Sequence, residues 1–294
     1  MTSLTLRAHP AISLAVPAVL LLALLGIVGL QTGILAVPTL APISAPETVV
    51  IASRPFAYRA TGEFLRDSAS IDGPMVQVEA PVSIEIMTHQ VSAADYAECV
   101  ADGACSKAEP RRRGVGDVPV TGVSFTDATD YAAWLSHRTG AHWRLPTVEE
   151  WTFAAGGKAA DPALGIETDA TDPAQRWLLL YEREAALGAT ALATPAPLGT
   201  FGVNEFGVAD LSAVIWEWTA SCGSRTTLDA AGNALSHIDS CGTRYLEGRH
   251  RTLLSEFVRD AVAGGCSTGT PPDNLGFRLV RDPTWAARLL QQWK

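Results

Sequence analysis

From Ala11 to Leu30 the chain carries no charged residue, and after Arg7 no lysine or arginine follows until Arg54. A helix needs roughly 20 apolar residues to cross a bilayer, whereas the apolar part of a signal peptide is about 7 to 15 residues long. The run therefore predicts an uncleaved anchor over residues 11–35. The placement of basic residues puts residues 1–10 in the cytoplasm and everything after the anchor outside it. Cleavage near Ser44-Ala45 is the alternative. Either way, the fold has to be built from the residues that follow, in an oxidising space that favours disulfides.

Five cysteines fit that compartment. Cys99 and Cys105 bracket "VADGA", where Gly103 lets the chain turn back, and they are expected to pair. Cys222 with Cys241, which flank one glycine-containing insertion, is the preferred second pair. Cys266 is then left over, and the other pairings of these three stay open. Charge excludes another class of function: 22 basic residues against 31 acidic ones give a net charge of −9. No basic stripe follows a phosphate backbone, so nucleic acid is not an expected partner. The basic run Arg111-Arg112-Arg113, set between Pro110 and Gly114, reads as a solvated turn.

The proline-rich stretch 36–48 reads as an extended tether, with the folded domain expected over residues 49–294. Helix starts are argued from hydroxyl caps with a carboxylate three residues on: Ser92 with Asp95, Ser124 with Asp127, and Thr147 with Glu150. After the second cap, Ala128, Tyr131, Ala132 and Leu135 share one helical face, and Gly140 is the stop. Between Gly156 and Gly202 a proline- and alanine-rich passage contains one helix pattern, "AQRWLLLYEREAALG". Past Gly202 no long strand or helix pattern is legible. These signals describe an α+β domain with much irregular backbone.

Near residue 217 two tryptophans flank a lone glutamate, in a chain with eight tryptophans. Neighbouring indoles bury large areas, and a single carboxylate with no second acid or histidine nearby in sequence has little catalytic support. Trp216 and Trp218 are accordingly expected to be structural, together with Arg144 and Trp151.

In order, "PVTGVSFTDATDYAAWL", "HWRLPTVEEWTFAAGG", "NEFGVADLSAVIWEWT" and "NLGFRLVRD" resemble the formylglycine-generating enzyme, or sulfatase-modifying factor, family. The resemblance implies a C-type-lectin-like fold with little regular structure, often steadied by calcium, for which Glu217 is the candidate ligand. Where the family reads Gly-Asn ahead of that glutamate, this chain has Ala213-Val214, which removes an oxygen ligand suited to a hard cation. Family chemistry uses a copper-binding cysteine pair. In "EGRHRTLLSEFVRD" the corresponding positions are Thr252 and Phe257, which offer no thiolate for copper(I).

The family's cleft would draw together Arg249, His250, Arg251, Cys266, Asp273, Asn274 and Arg278, while the plainer reading has Asn274 and Arg278 packing a closing hairpin. The resemblance extends to non-heme iron relatives. In ergothioneine synthase the iron-binding histidines belong to a separate domain, outside the part this chain resembles. The insertion "WLLLYEREAALG" is similar to a sub-branch accessory to copper nitrite reductase in denitrification. These expectations describe a single-pass inner-membrane protein with a periplasmic domain, acting as an accessory or maturation factor on a periplasmic protein partner. A catalytically silent lectin-like binding module and a non-heme iron oxidase are the alternatives.

Overall fold

The structure of the protein is a computed structural model that describes residues 42–79, 83–163, 173–188, 194–264 and 274–283, with Leu20 alone from the N-terminal segment. The expected anchor, Leu20 apart, and residues 36–41 of the expected tether lie outside the described residues, as do Cys266 and Asp273. Among the described residues no helix is long and apolar enough to cross a membrane. Ile43 already belongs to the domain: its amide donates to the Arg138 carbonyl and its side chain packs on the core. The domain boundary therefore lies ahead of Val49, because residues of the proline-rich stretch find partners on its surface.

Hydroxyl caps start the helices α1 (Ala93–Ala101), α2 (Phe125–Thr139) and α3 (Val148–Ala155), all three where the sequence places them. Ser124 and Thr147 close reciprocal boxes with Asp127 and Glu150. At Ser92 the side chain accepts from the Asp95 amide, but the Asp95 carboxylate returns to the serine hydroxyl rather than to its amide. Helix α2 stops at Gly140 with φ 67°, a left-handed geometry that glycine adopts without a Cβ penalty. Its buried face, Tyr131 above all, stacks on Tyr96 of α1 at 5.8 Å and meets the Phe277 edge at 5.5 Å.

Both ends of the domain meet in a four-stranded sheet ordered β1 (Thr48–Ile51), β6 (Ile84–Met87), β12 (Val280–Arg281) and β7 (Trp143–Arg144). A six-stranded sheet runs β10 (Thr252–Ser255), β9 (Ala234–Glu247), β8 (Trp216–Leu228), β3 (Glu63–Arg66) and β4 (Ala69–Ile71), with β11 (Leu275–Gly276) parallel to β8. The ribbon β2 (Phe56–Arg59) with β5 (Met75–Val78) packs beside α3. The inserted helix pattern forms α4 (Pro173–Gly188), and a short turn, α5 (Ala261–Gly264), follows β10.

The long β8–β9 hairpin corrects the expectation that no long strand lies past Gly202. Its strands span 13 and 14 residues, but residues 234–242 are all exposed and the pairing register shifts at three places. An exposed, slipped strand carries no period-two apolar signal, so backbone pairing alone defines it. Both expected disulfides are formed. Cys222–Cys241 ties the hairpin across its strands, and Cys99–Cys105 closes the end of α1.

Candidate functional site

Alternation along β8 sends Trp216 and Trp218 into the core beneath α1 and α2, and turns Glu217 toward the second core around Trp151. Glu217 Oε2 accepts from Arg278 Nε at 2.6 Å and from Trp151 Nε1 at 2.9 Å. Its Oε1 accepts from Arg278 Nη2 at 2.8 Å and from Gln90 Nε2 at 2.7 Å. Arg278 spends its remaining donors on the carbonyls of Met87, Thr88 and Ala209. With Glu217 1% and Arg278 0% exposed, both charges are neutralised by a dense set of hydrogen bonds. Glu217 therefore has no free face for calcium, and its candidacy as a cation ligand gives way to an ion pair.

A second pair lies alongside. Glu247 of β9 stands opposite Glu217 of β8 and accepts from Arg251 Nε at 2.5 Å. Burial raises the Glu247 pKa and the neighbouring Glu217 adds to the rise, while Arg251 opposes both. Arg251 also donates to the Arg59 carbonyl, which links this buried pair to the surface cleft.

That cleft, about 370 Å³ in volume, lies between the β3–β4 edge, β10 and α4, with Arg59, Glu63, Asp72, Arg176, Arg251 and Thr252 among its walls. Arg59 grips Asp161 with two bonds of 2.6 and 2.9 Å, and Arg176 of α4 meets Asp72 at 2.5 Å. Tyr245 adds a phenol whose pKa is raised by burial. Nearby, Tyr58 donates to Glu149 at 3.1 Å, and burial together with that carboxylate pushes its pKa up to about 12. Ordered guanidinium, carboxylate and hydroxyl groups make a surface that recognises polar and charged groups through directional hydrogen bonds.

Copper does not fit these donors. Thr252 forms part of the cleft wall, and Phe257 projects into solvent at 72% exposure. Four of the five cysteines are held in disulfides, so the single one left cannot form a thiolate pair. Among the described residues no group of three or more His, Cys, Asp or Glu side chains is placed to hold a metal.

The residues expected to converge do so only in part. Arg249 Nε donates to the Ala213 carbonyl and Asn274 Nδ2 to the Val214 carbonyl, so these two brace the irregular segment ahead of Trp216. A Cβ at Gly248 would come within 2.9 Å of the Trp216 ring, which explains glycine there. His250 meets the Trp216 ring edge-on at 5.3 Å, and burial brings its pKa down to about 4 with help from the Arg183 charge. Among the described residues neither His250 Nδ1 nor Trp216 Nε1 has a hydrogen-bond partner. Arg278 belongs instead to the ion pair with Glu217. Arg144 grips Glu150 with bonds of 2.7 and 2.6 Å and reaches Asp282 at 3.2 Å. Sequence reasoning missed Gln90, Arg59, Asp72 and Arg176, whose partners lie far away along the chain. A lone glutamine entering a buried run was the one available signal for the first.

Residues 36–283 match the sulfatase-modifying factor enzyme 1-like domain. A formylglycine-generating enzyme from Mycobacterium tuberculosis is 30% identical over 184 residues, covering 56% of this chain and 58% of that protein. The mouse protein named inactive C-alpha-formylglycine-generating enzyme 2 is 31% identical over 174 residues, covering 56% and 49%. A hercynine oxygenase from Mycolicibacterium smegmatis is 38% identical over 109 residues, covering 36% of this chain and 22% of that protein. The chain thus spans about half the length of the formylglycine-generating relatives it matches.

Proposed function

Because the chain belongs to the sulfatase-modifying factor enzyme 1-like domain family, we propose that it is an accessory or maturation factor that holds a segment of a partner enzyme in the polar cleft and does not generate formylglycine. One observation carries the reading: the cleft presents Thr252 where the family's copper cysteines are expected, while four of the five cysteines are locked in disulfides. That a relative of similar identity bears the name of an inactive formylglycine-generating enzyme supports a fold that outlasts this chemistry. The apolar run at 11–30 supports a single-pass inner-membrane anchor with the domain in the periplasm, and the disulfides accord with an oxidising compartment. The resemblance to a denitrification sub-branch makes copper nitrite reductase the partner to test.

Purified full chain titrated with copper nitrite reductase should bind saturably. Thr252→Arg, which fills the cleft from its wall, should weaken binding by at least about tenfold, or ~1.4 kcal/mol. Binding untouched by that substitution would remove the cleft from the reading, and absence of binding would remove this partner. The similarity to hercynine oxygenase favours a second reading, a non-heme iron oxidase. Stoichiometric iron retained through purification, and lost to a chelator together with an oxidase activity, would select it.

A further inference from the structure

On α1, well apart in sequence from the cleft-lining strands, a groove of about 470 Å³ opens between the helix and the loop that follows it. Tyr96, Ala97 and Val100 form one apolar wall, and Val118 and Val120 the other. Lys107, Arg112 and Arg113 also line it, and no acidic residue does, in a chain whose 31 acids outnumber its 22 bases. Glu109, an acid of the same loop, is held by Arg259 at 2.6 Å.

These cations differ from the arginines of the cleft. Arg59, Arg176 and Arg251 are each committed to a carboxylate, whereas Lys107, Arg111, Arg112 and Arg113 are exposed and form no ion pair among the described residues. Uncompensated like charges set side by side repel one another and build a local positive potential that draws in anions. The loop beneath them is firmly seated. The Val118 carbonyl accepts from Ala93, the Val120 amide donates to Val91, and the Glu109 amide donates to Gly122. Gly122, at φ +72°, passes so close that a Cβ would lie 2.2 Å from the Glu109 carbonyl. A Cβ at Gly114 would lie 2.6 Å from the Pro195 carbonyl. The groove is thus a built feature whose backbone packing requires glycine at 114, beside the basic turn, and at 122, against the backbone that precedes it.

We propose that this groove docks an acidic, extended segment of a partner polypeptide, with an apolar side chain seated between α1 and the Val118–Val120 stretch and carboxylates facing Lys107, Arg112 and Arg113. Charge complementarity selects an anionic occupant. The backbone selects polypeptide over lipid: the amides of residues 111–117 have no protein hydrogen-bond partner among the described residues. An extended peptide offers carbonyls to such donors, and an acyl chain does not. This surface is separate from the cleft and stands or falls independently of the cleft's role.

The test uses the full chain and a fluorescently labelled peptide of alternating glutamate and leucine, read by anisotropy. Binding is expected to weaken by at least about tenfold when glutamine replaces glutamate, and to fall as salt rises. Arg112→Glu combined with Arg113→Glu should abolish binding of the acidic peptide and allow a lysine-leucine counterpart to bind instead, with circular dichroism and Tm unchanged. Ala97→Phe, which fills the apolar floor, should weaken the acidic peptide without reversing its charge preference. Thr252→Arg should leave it untouched. Equal binding of the glutamate and glutamine peptides would overturn the proposal, as would loss of binding on Thr252→Arg. Displacement of the peptide by phosphatidylglycerol vesicles would make the occupant a lipid surface and also overturn it.

Discussion

A carboxylate set between two tryptophans serves as an acid, a cation ligand or half of an ion pair according to the donors that reach it, and at Glu217 four N–H groups reach it. Such a pair is costly to break from one side. Arg278→Met, which strands the glutamate in the core, should cost about 3–5 kcal/mol in a urea titration, and Glu217→Gln a comparable amount, because it leaves the fully buried guanidinium of Arg278 without its counterion. Trp216 is 5% exposed and lies against Gly248 and His250. Trp216→Ala should therefore cost about 3–5 kcal/mol through the cavity it leaves. A variant with unchanged Tm and abolished partner binding would return Trp216 to the functional site. His250 gives a pH signature with a definite sign. Its pKa falls from 6.5 to about 4 on folding, so the unfolded chain binds the proton more readily. Its stabilising contribution is complete above the unfolded value and is lost as the pH falls from about 6.5 to about 4. His250→Phe should flatten that limb of the stability profile, and an unchanged slope would show that the ring is solvated.

Elements divide by how local their causes are. The caps at Ser92, Ser124 and Thr147 and the stop at Gly140 were readable because each acts within a few residues of itself. Replacing Ser124 by alanine should cost about 1 kcal/mol or more, since its hydroxyl satisfies an orphan amide of α2. The β8–β9 hairpin was unreadable because residues 234–242 of β9 are all exposed and the pairing register shifts. A cross-link does the work that burial does elsewhere. Loop-closure entropy gives Cys222–Cys241, whose ends are 19 positions apart along the chain, up to about 3 kcal/mol, and the shorter Cys99–Cys105 loop about 2 kcal/mol. The Cys222→Ser, Cys241→Ser double variant should lose amide protection first in residues 223–240 by hydrogen exchange. Protection unchanged there would mean that strand pairing alone holds the hairpin.

For the whole molecule, the proposed accessory role makes a direct prediction. Incubated with copper, oxygen and a cysteine-containing sulfatase peptide, the purified chain should leave the peptide mass unaltered. A mass loss matching formylglycine, abolished by Cys266→Ser, would sink the accessory-factor reading. An alkaline phosphatase fused after Lys294 should be active if the apolar run anchors the domain outside the cytoplasm, and inactive if the orientation is reversed. The sequence by itself determined the helix ends, the buried tryptophans, the short Cys99–Cys105 link and the family, because caps, apolar spacing and ordered motifs are written in neighbouring residues; the partner of Cys222 it left open. Only the tertiary structure decided what Glu217 does, which arginines wall the cleft and where unpaired cations gather. The partners of Glu217 lie 61, 66 and 127 residues away along the chain. Whether a charge is neutralised or left to attract a ligand depends on such distant groups meeting at hydrogen-bond distance, and no local pattern encodes that meeting.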